Sequence, residues 1–343
     1  MRTLTRKGVT LKDVAAAANV SRATAARALN SYGYVGDETA LRVIEAADAL
    51  GYRANRVAQA LRSGQLPIVG YLPGDIQNPF FARIAHDLEV ELRKHGHNLL
   101  IASSEEDVEQ ERELLESLRS LSVRGFILAP TSATDNQHIL QLAREGAPIV
   151  LIDRVAENAR CDSVLVDNEG GAREVVDYLV TNGHRRIALL RDDSRIFTAQ
   201  ERLAGYQHSL QAHGIELDES LIGVSRSTVE QAIEATIRLF TRRNRPTALF
   251  TVDSLMTQGA LLALRSMGLS IPQDVSLVGF DDFDLATFTD PQITVMAQPI
   301  AEIGPLAAQM LLERLAGKKA APRLKRFPTR LIVRGSVSHP KKR

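Results

Sequence analysis

Carboxylates, arginines and paired aromatics recur directly behind apolar runs in this 343-residue chain. Asp75 and Asn78-Pro79-Phe80-Phe81 follow IVGYLP (68–73), and Asp153-Arg154 close PIVLID (148–153). Thr198 and Arg202 come after RIALLR (186–191), Asp253 ends ALFTVD (248–253), Asp281-Asp282 end DVSLVGFDD (274–282), and Gln298 follows ITVMA. Carboxylates and planar guanidinium forks pair with adjacent hydroxyls, while an aromatic face stacks on the apolar side of a ring. Asp75, Phe80, Phe81, Asp153, Arg154, Thr198, Arg202, Asp281 and Gln298 are therefore the candidate contacts for a polyhydroxylated small molecule. Phe81 fits a core position equally well. Asp282, Asp253 and Arg154 fit helix caps or ion pairs between lobes as readily.

The elements that must position this set read as strands alternating with helices. Further strand-like runs are NLLIAS (98–103), GFILAP (125–130) and SVLVDN (163–168), and helical periods cover 81–94, 169–182 and 228–241. Continuous apolar strands separated by helices predict parallel sheets covered on both faces. About 250 residues of this pattern predict two doubly wound lobes, whose ligands bind at the carboxyl ends of the strands.

A different pattern fills the head. Thr10 and Asp13 make a capping-box start, and Leu11, Val14, Ala15 and Ala18 form one apolar face. Ala18-Asn19-Val20 reads as a tight turn, with Asn19 left-handed. Ser21 caps a second helix from Arg22 to about Leu29, closed by Asn30-Ser31. A third, from about Asp37, is expected to turn Leu41, Ile44, Ala47 and Leu50 inward and to stop at Gly51. Ala15 and Ala25 let the first two helices cross closely. This is a helix-turn-helix pattern, although an ordinary three-helix bundle has similar spacing. Asn55 to Gly64 adds a short amphipathic stretch, too short to be helical alone, that orders only against DNA or a second copy of itself.

The runs VTLKDVAAAANVSRATAARALN and GYRANRVAQALRSGQ resemble the LacI/GalR family of bacterial transcription regulators, and the similarity extends along essentially the whole chain. The resemblance implies a second helix in the major groove and paired hinge helices in the minor groove at the operator centre. It places Arg22 and Ala23 at base-reading positions: Arg forks onto guanine, and Ala reaches a thymine methyl. Arg27 matches a family arginine, Thr24 and Asn55 fit backbone contacts, and Leu61 fits a wedge between base steps or a packing contact with its dimer mate. The DNA-contacting set is Thr10, Ser21, Arg22, Ala23, Thr24, Arg27, Asn30, Asn55, Arg56 and Leu61; Arg42 and Arg53 are read as solvated. The resemblance also implies a periplasmic-binding-protein-like core, with Phe80, Phe81, Asp153, Thr198, Arg202, Asp281 and Gln298 touching an effector. Two departures stand out. Val252 replaces a frequent Asn, and Ser225-Arg226-Ser227 lacks a frequent aromatic, so the pocket loses an amide and a stacking face and is expected to gain Arg226.

The expected organisation is a small all-α helix-turn-helix head (1–54), a hinge helix and linker (55–66) and a two-lobed α/β core (67–343). The lobes are drawn as about 67–165 with 294–322, and 166–293 with 323–343, the chain crossing near 164–168, 290–296 and 321–325. Formal charge follows the same division: +5 over 1–66, −14 over 67–317 and +10 over 318–343, beneath a total of +1. The basic tail fits either a second nucleic-acid patch or solvated ends around a last strand, LIVRGS. The single Cys161 excludes a disulfide framework, and no apolar run spans a membrane. With no signal-peptide pattern, a cytoplasmic protein is expected. G-x-S-x-G, Walker A, G-x-G-x-x-G and H-E-x-x-H motifs are missing, so neither an enzyme nor a cofactor or metal site is expected. The function read from the sequence is a homodimeric repressor of a palindromic operator on double-stranded DNA, controlled by a sugar or sugar acid. The alternatives are a small-molecule binder with an inert head and a regulator answering to a protein partner.

Overall fold

The first helix, α1 (Leu11–Ala17), starts where the Asp13 carboxylate accepts from both the Thr10 backbone N–H (2.8 Å) and its hydroxyl (2.7 Å). The computed structural model describes residues 9–30, 34–52 and 66–341. They fall into one unit ending at Leu66 and another beginning at Pro67. In the first unit Asn19 (φ 52°) turns the chain, and Ser21 Oγ accepts from Thr24 N–H (3.0 Å) to start α2 (Arg22–Asn30). Helix α3 (Asp37–Ala49) follows, with Gly51 (φ 64°) just beyond its end. Val14, Ala15, Ala18, Ala25, Val43 and Ala47 form the core.

The inward face of α3 differs from the expected one. Val43 and Ala47 are buried, whereas Leu41, Ile44 and Leu50 are exposed. One residue along a helix is a rotation of about 100°. Packing the Val43–Ala47 pair against the small alanines of α1 and α2 therefore turns Leu41 and Ile44 outward.

The second unit holds two six-stranded sheets with the same strand order. The first comprises β1 (Ile68–Leu72), β2 (Asn98–Ile101), β3 (Gly125–Leu128), β4 (Ile149–Ile152), β5 (Asp162–Val166) and β11 (Leu324–Phe327), ordered β11-β5-β4-β3-β1-β2 and wholly parallel. The second comprises β6 (Ile187–Arg191), β7 (Ile222–Val224), β8 (Ala248–Thr251), β9 (Ser276–Phe280), β10 (Thr294–Ala297) and β12 (Arg330–Ile332), ordered β12-β10-β9-β8-β6-β7. Only the β10–β12 pairing is antiparallel in it. Burial on both faces explains the unbroken apolar strands.

Helices α4 (Pro79–Lys94), α5 (Val108–Ser120), α6 (Gln137–Arg144) and α12 (Ile300–Leu315) cover the first sheet. Helices α7 (Asn168–Thr181), α8 (Phe197–Ala212), α9 (Val229–Phe240) and α10 (Ser254–Ser266) cover the second, and the short α11 (Asp284–Phe288) follows β9. Helices α7 and α8 touch backbone to backbone: a Cβ on Gly205 would lie 2.2 Å from the Glu169 carbonyl oxygen.

The first lobe crossing falls at 166–168, within the expected range, and the other two fall later than expected. The strand at 294–297 belongs to the second sheet and the one at 324–327 to the first, so the later crossings lie between β10 and α12 and between β11 and β12. The ITVMA run extends the parallel order beside β9 before the chain can leave. Strand β11, with Leu324, Lys325 and Arg326 exposed, is a charged edge without an apolar run, which is how edge strands avoid further pairing. The edge strand β7 escaped notice because three residues, Ile222 to Val224, are too short to read as a run.

Much of the basic tail is neutralised by the core. Arg323 pairs with Asp162 and Glu313, Arg326 with Glu201, Arg334 with Asp282, and Lys341 with Asp274. Asp162 is the hub, accepting from Arg314 (2.8 and 2.9 Å) and from the Arg323 side chain (3.1 Å) and N–H (2.8 Å). Burial raises its pKa, but these bonds outweigh burial and pull it down to about 2. A carboxylate held below its ordinary range stabilises the fold above about pH 4, and that contribution fades as pH falls through about 2. Asp162→Asn is expected to cost about 2 kcal/mol at neutral pH, at about 1.4 kcal/mol per pKa unit. Urea unfolding should show the gap from the wild type narrowing between about pH 4 and about pH 2.

Candidate functional site: an inter-lobe cleft and a helix-turn-helix face

Equivalent strands of the two sheets end on one shared cleft. Asp75 follows β1 and Asp192 follows β6; Asp153 follows β4 and Asp281 follows β9. The matched strand order explains this convergence, because each lobe offers its carboxyl edge to the other. All nine expected effector contacts line the cleft: Asp75, Phe80, Phe81, Asp153, Arg154, Thr198, Arg202, Asp281 and Gln298. Asn78, Glu106, Asp192, Ser227, Val252 and Asp253 line it too.

Local backbone geometry aims these groups. Asp153 (φ 62°), Asp281 (φ 76°), Glu106 (φ 59°) and Ser227 (φ 46°) all occupy the left-handed region. Non-glycine residues are held there at a cost, and such strain gathers at binding sites. Asn78 caps α4 by accepting from Phe80 N–H (3.0 Å) and also accepts from Ser254 Oγ of the other lobe (2.9 Å). Phe80 and Phe81 meet edge to face at 5.1 Å and belong to the first-lobe core as well as to the cleft wall. Asp253 caps α10, accepting from Met256 N–H at 2.7 Å, and lines the cleft with its other face.

Each lobe supplies one guanidinium. Arg154 makes two hydrogen bonds to Glu106 (2.6 and 2.7 Å) and lies 3.3 Å from Asp153. This partnership stays within the first lobe and does not cross the cleft. Gly74 makes room for it, since a Cβ there would sit 2.1 Å from Glu106 Oε1. Arg202 donates to Asn168 Oδ1 (2.9 Å) and to the Val252 carbonyl, with its guanidinium 3.8 Å from the Phe280 ring centre. Val252, standing where an amide was anticipated, thus serves through its backbone. Arg226 is exposed and away from the lining, contrary to expectation; the turn at Ser227 directs the serine hydroxyl inward instead. Asp282 points elsewhere and pairs with Arg334.

Six carboxylates (Asp75, Glu106, Asp153, Asp192, Asp253, Asp281) face two guanidiniums among the described lining residues. Burial pushes the Asp281 pKa up to about 6 against the pull of Arg202 and Gln298, whose Nε2 donates to it at 2.6 Å. Burial, reinforced by Glu106, pushes Asp192 up to about 7. The remaining space is about 30 Å³. That is about one water's share, against roughly 300 Å³ or more for ordinary ligand pockets. The lobes stand closed on their own side chains, so a sugar-sized ring enters only when they part.

In the head, Arg22 and Ala23 are exposed at the start of α2, and Thr24 and Arg27 are half-buried beside them. Ser21 Oγ and Thr24 Oγ1 lie 2.8 Å apart. Thr10 caps α1, and Asn30 is the last residue of α2. The expected contacts Asn55, Arg56 and Leu61 lie outside the described residues. Glu106, Asp192 and Ser227 were missed as cleft residues. Asp192 directly follows an apolar strand, so the rule that found Asp75 would have found it.

This is the architecture of a DNA-reading head joined to a two-lobed ligand-binding core. A family model for bacterial regulatory proteins of the lacI family matches residues 10–55, and one for a periplasmic binding protein-like domain matches 176–337. The HTH-type transcriptional regulator GalS of Salmonella typhimurium is 33% identical over 330 residues, 96% of this chain and 97% of the relative. The HTH-type transcriptional repressor CytR of Escherichia coli K12 is 32% identical over 328 residues, 96% of each. Among solved structures, the Lac repressor dimer bound to operator and the anti-inducer ONPF superposes with a TM-score of 0.85 at 26% identity, covering 97% of this chain and 100% of that one. The transcriptional regulator CelR–cellobiose complex gives 0.72 at 30% identity, covering 96% and 99%. The chain belongs to the LacI family and is a DNA-binding transcriptional regulator, not an enzyme.

The raised carboxylates set a pH dependence. Asp192 keeps its proton in the folded cleft up to about pH 7 and would lose it near pH 4 in the unfolded chain, so acidification favours the fold. At about 1.4 kcal/mol per pH unit, lowering the pH from about 7.5 to about 5.5 should add about 2 kcal/mol through this group. Asp192→Asn should remove that gain. Chemical denaturation at the two pH values measures it.

Proposed function

We propose that the protein is a repressor that binds a near-palindromic operator as a homodimer and is switched by a polyhydroxylated small molecule held between the lobes. One observation carries the reading: nine residues chosen for ring-binding chemistry converge on a single cleft made by both lobes. A ligand there favours one lobe spacing, and segment 55–66 passes that preference to the head. A coupling of about 1–3 kcal/mol, usual for allostery, changes operator affinity roughly 5–150-fold.

Two further features support the reading. Exposed Arg22 at the start of α2 suits a fork onto guanine, with Ala23 beside it for a thymine methyl. Phe288, 81% exposed, and Leu262 border a surface groove of about 740 Å³ with Leu261 and Leu285, an apolar face suited to a second copy. Like surfaces meeting about a two-fold axis would place one head on each half-site. The carboxylate surplus favours a neutral or cationic ligand over a sugar acid.

Mobility shifts on operator DNA with a sugar panel test this with two variants. Arg22→Ala should weaken operator binding by about 1–3 kcal/mol and relax one base preference. Asp281→Ala should bind operator normally but lose the sugar response. Unchanged operator affinity in the first variant, or a full response in the second, would contradict the assignment.

A further inference from the structure

Two carboxylates in the cleft compete for one hydrogen. Ser227 Oγ lies within hydrogen-bonding distance of Asp192 Oδ2 and, at 2.5 Å, of Asp253 Oδ2. A hydroxyl has a single hydrogen to donate, so two ionised carboxylates cannot both be satisfied by it. The second contact needs a proton on one of the acids. Neither acid has an ion-pair partner within 4 Å among the described residues, because Arg154 is committed to Glu106 and Arg202 to Asn168 and Val252. Asp192 is faced by Glu106, Arg154, Asp253 and Arg195, the last tied to Asp193, and Asp253 by Glu106, Arg202, Asp192 and Asp281.

A second observation concerns acceptors left without donors. Asp153 Oδ1 and Gln298 Oε1 are buried and have no hydrogen-bond partner. Both residues are at least nine-tenths buried and line the cleft. Arg154 Nε is also without a hydrogen bond, but it lies 3.3 Å from the Asp153 carboxylate and so is electrostatically matched. The unmet demand of the cleft is for donors and positive charge. An orphaned buried acceptor is destabilising, and a donor-rich ligand recovers that loss.

We propose that the ligand carries a protonated amine on a polyhydroxylated frame, its ammonium seated between Asp192 and Asp253 in place of the acid proton that one of them must otherwise carry. The hydroxyls of the frame donate to Asp153 and Gln298. This rests on the small-molecule reading above and specifies its chemical class. A carboxylate ligand meets a lining in which acids outnumber guanidiniums six to two, and a neutral one leaves the proton requirement in place. Binding the ammonium releases that acid proton while Ser227 keeps its hydrogen, and the balance is one cation in and one proton out.

Calorimetry on the full chain at about pH 6.5 tests the proposal with matched sets built on glucose, galactose and mannose: the hexose, its 2-amino derivative and its uronate. In at least one set the amine should bind about tenfold or more tighter than the hexose, with the uronate weakest. Buffers of different ionisation enthalpy should report about one proton released per amine bound and none for the hexose. In Asp192→Asn the amine preference should fall to within about threefold. A hexose or uronate that binds as tightly as its amine overturns the charge assignment and leaves the small-molecule reading standing. No binding in any set overturns both.

Discussion

Burying carboxylates between two lobes with too few cations is the constraint on which the rest of this structure depends. Arg154 from one lobe and Arg202 from the other are fixed by Glu106, Asn168, Val252 and the Phe280 ring, and neither forms an ion pair with Asp192, Asp253 or Asp281. A closed cleft must then hold protons or admit a ligand that supplies donors. Its left-handed turns at Glu106, Asp153, Ser227 and Asp281 keep these groups facing inward despite the cost. The resulting state is closed but electrostatically incomplete, and a ligand can shift it only through unequal affinity for the open and closed arrangements.

The lobes meet through few direct polar contacts, and these differ in character. Ser254 Oγ reaches Asn78 Oδ1, Arg83 Nη1 reaches the Asp282 carbonyl (3.2 Å), and Arg326 pairs with Glu201 (2.8 Å). The first is buried, the Arg83 contact is exposed and the Arg326–Glu201 pair is partly exposed, where an ion pair contributes little. The chain crosses between lobes near β5 and again on either side of α12 and β11, so the crossings form a hinge and not a shared core. Such a joint rotates without breaking either lobe's packing.

Much of the fold was legible because its signals are local and repeated. Unbroken apolar strands followed by polar residues located Asp153 and Asp281, and the cap residues Thr10 and Ser21 located α1 and α2. The same logic failed where a signal is set by partners distant in sequence. Leu41 and Ile44 look as apolar as Val43, and only the small alanines across the head decide which face turns in. Strand β11 is charged because it is an edge, and its Arg323 and Arg326 are answered by Asp162 and Glu201, more than a hundred residues away. The net +10 of the tail surrounds a last strand, as the LIVRGS run suggested, and pairing with distant acids cancels much of it. Arg226 was expected in the pocket because it stands where the family often has an aromatic, yet the left-handed Ser227 beside it sets which side chain enters.

In the proposed mechanism the spacing of the lobes sets the affinity of the head for DNA. The buried Asn78–Ser254 contact allows this to be measured without knowing the ligand. In the Asn78→Cys/Ser254→Cys double variant, oxidation would lock the cleft shut and reduction would free it. Operator affinity determined by fluorescence anisotropy should differ between the two forms of the same protein by about 5–150-fold. Equal affinities, with the disulfide confirmed by mass spectrometry, would contradict the account.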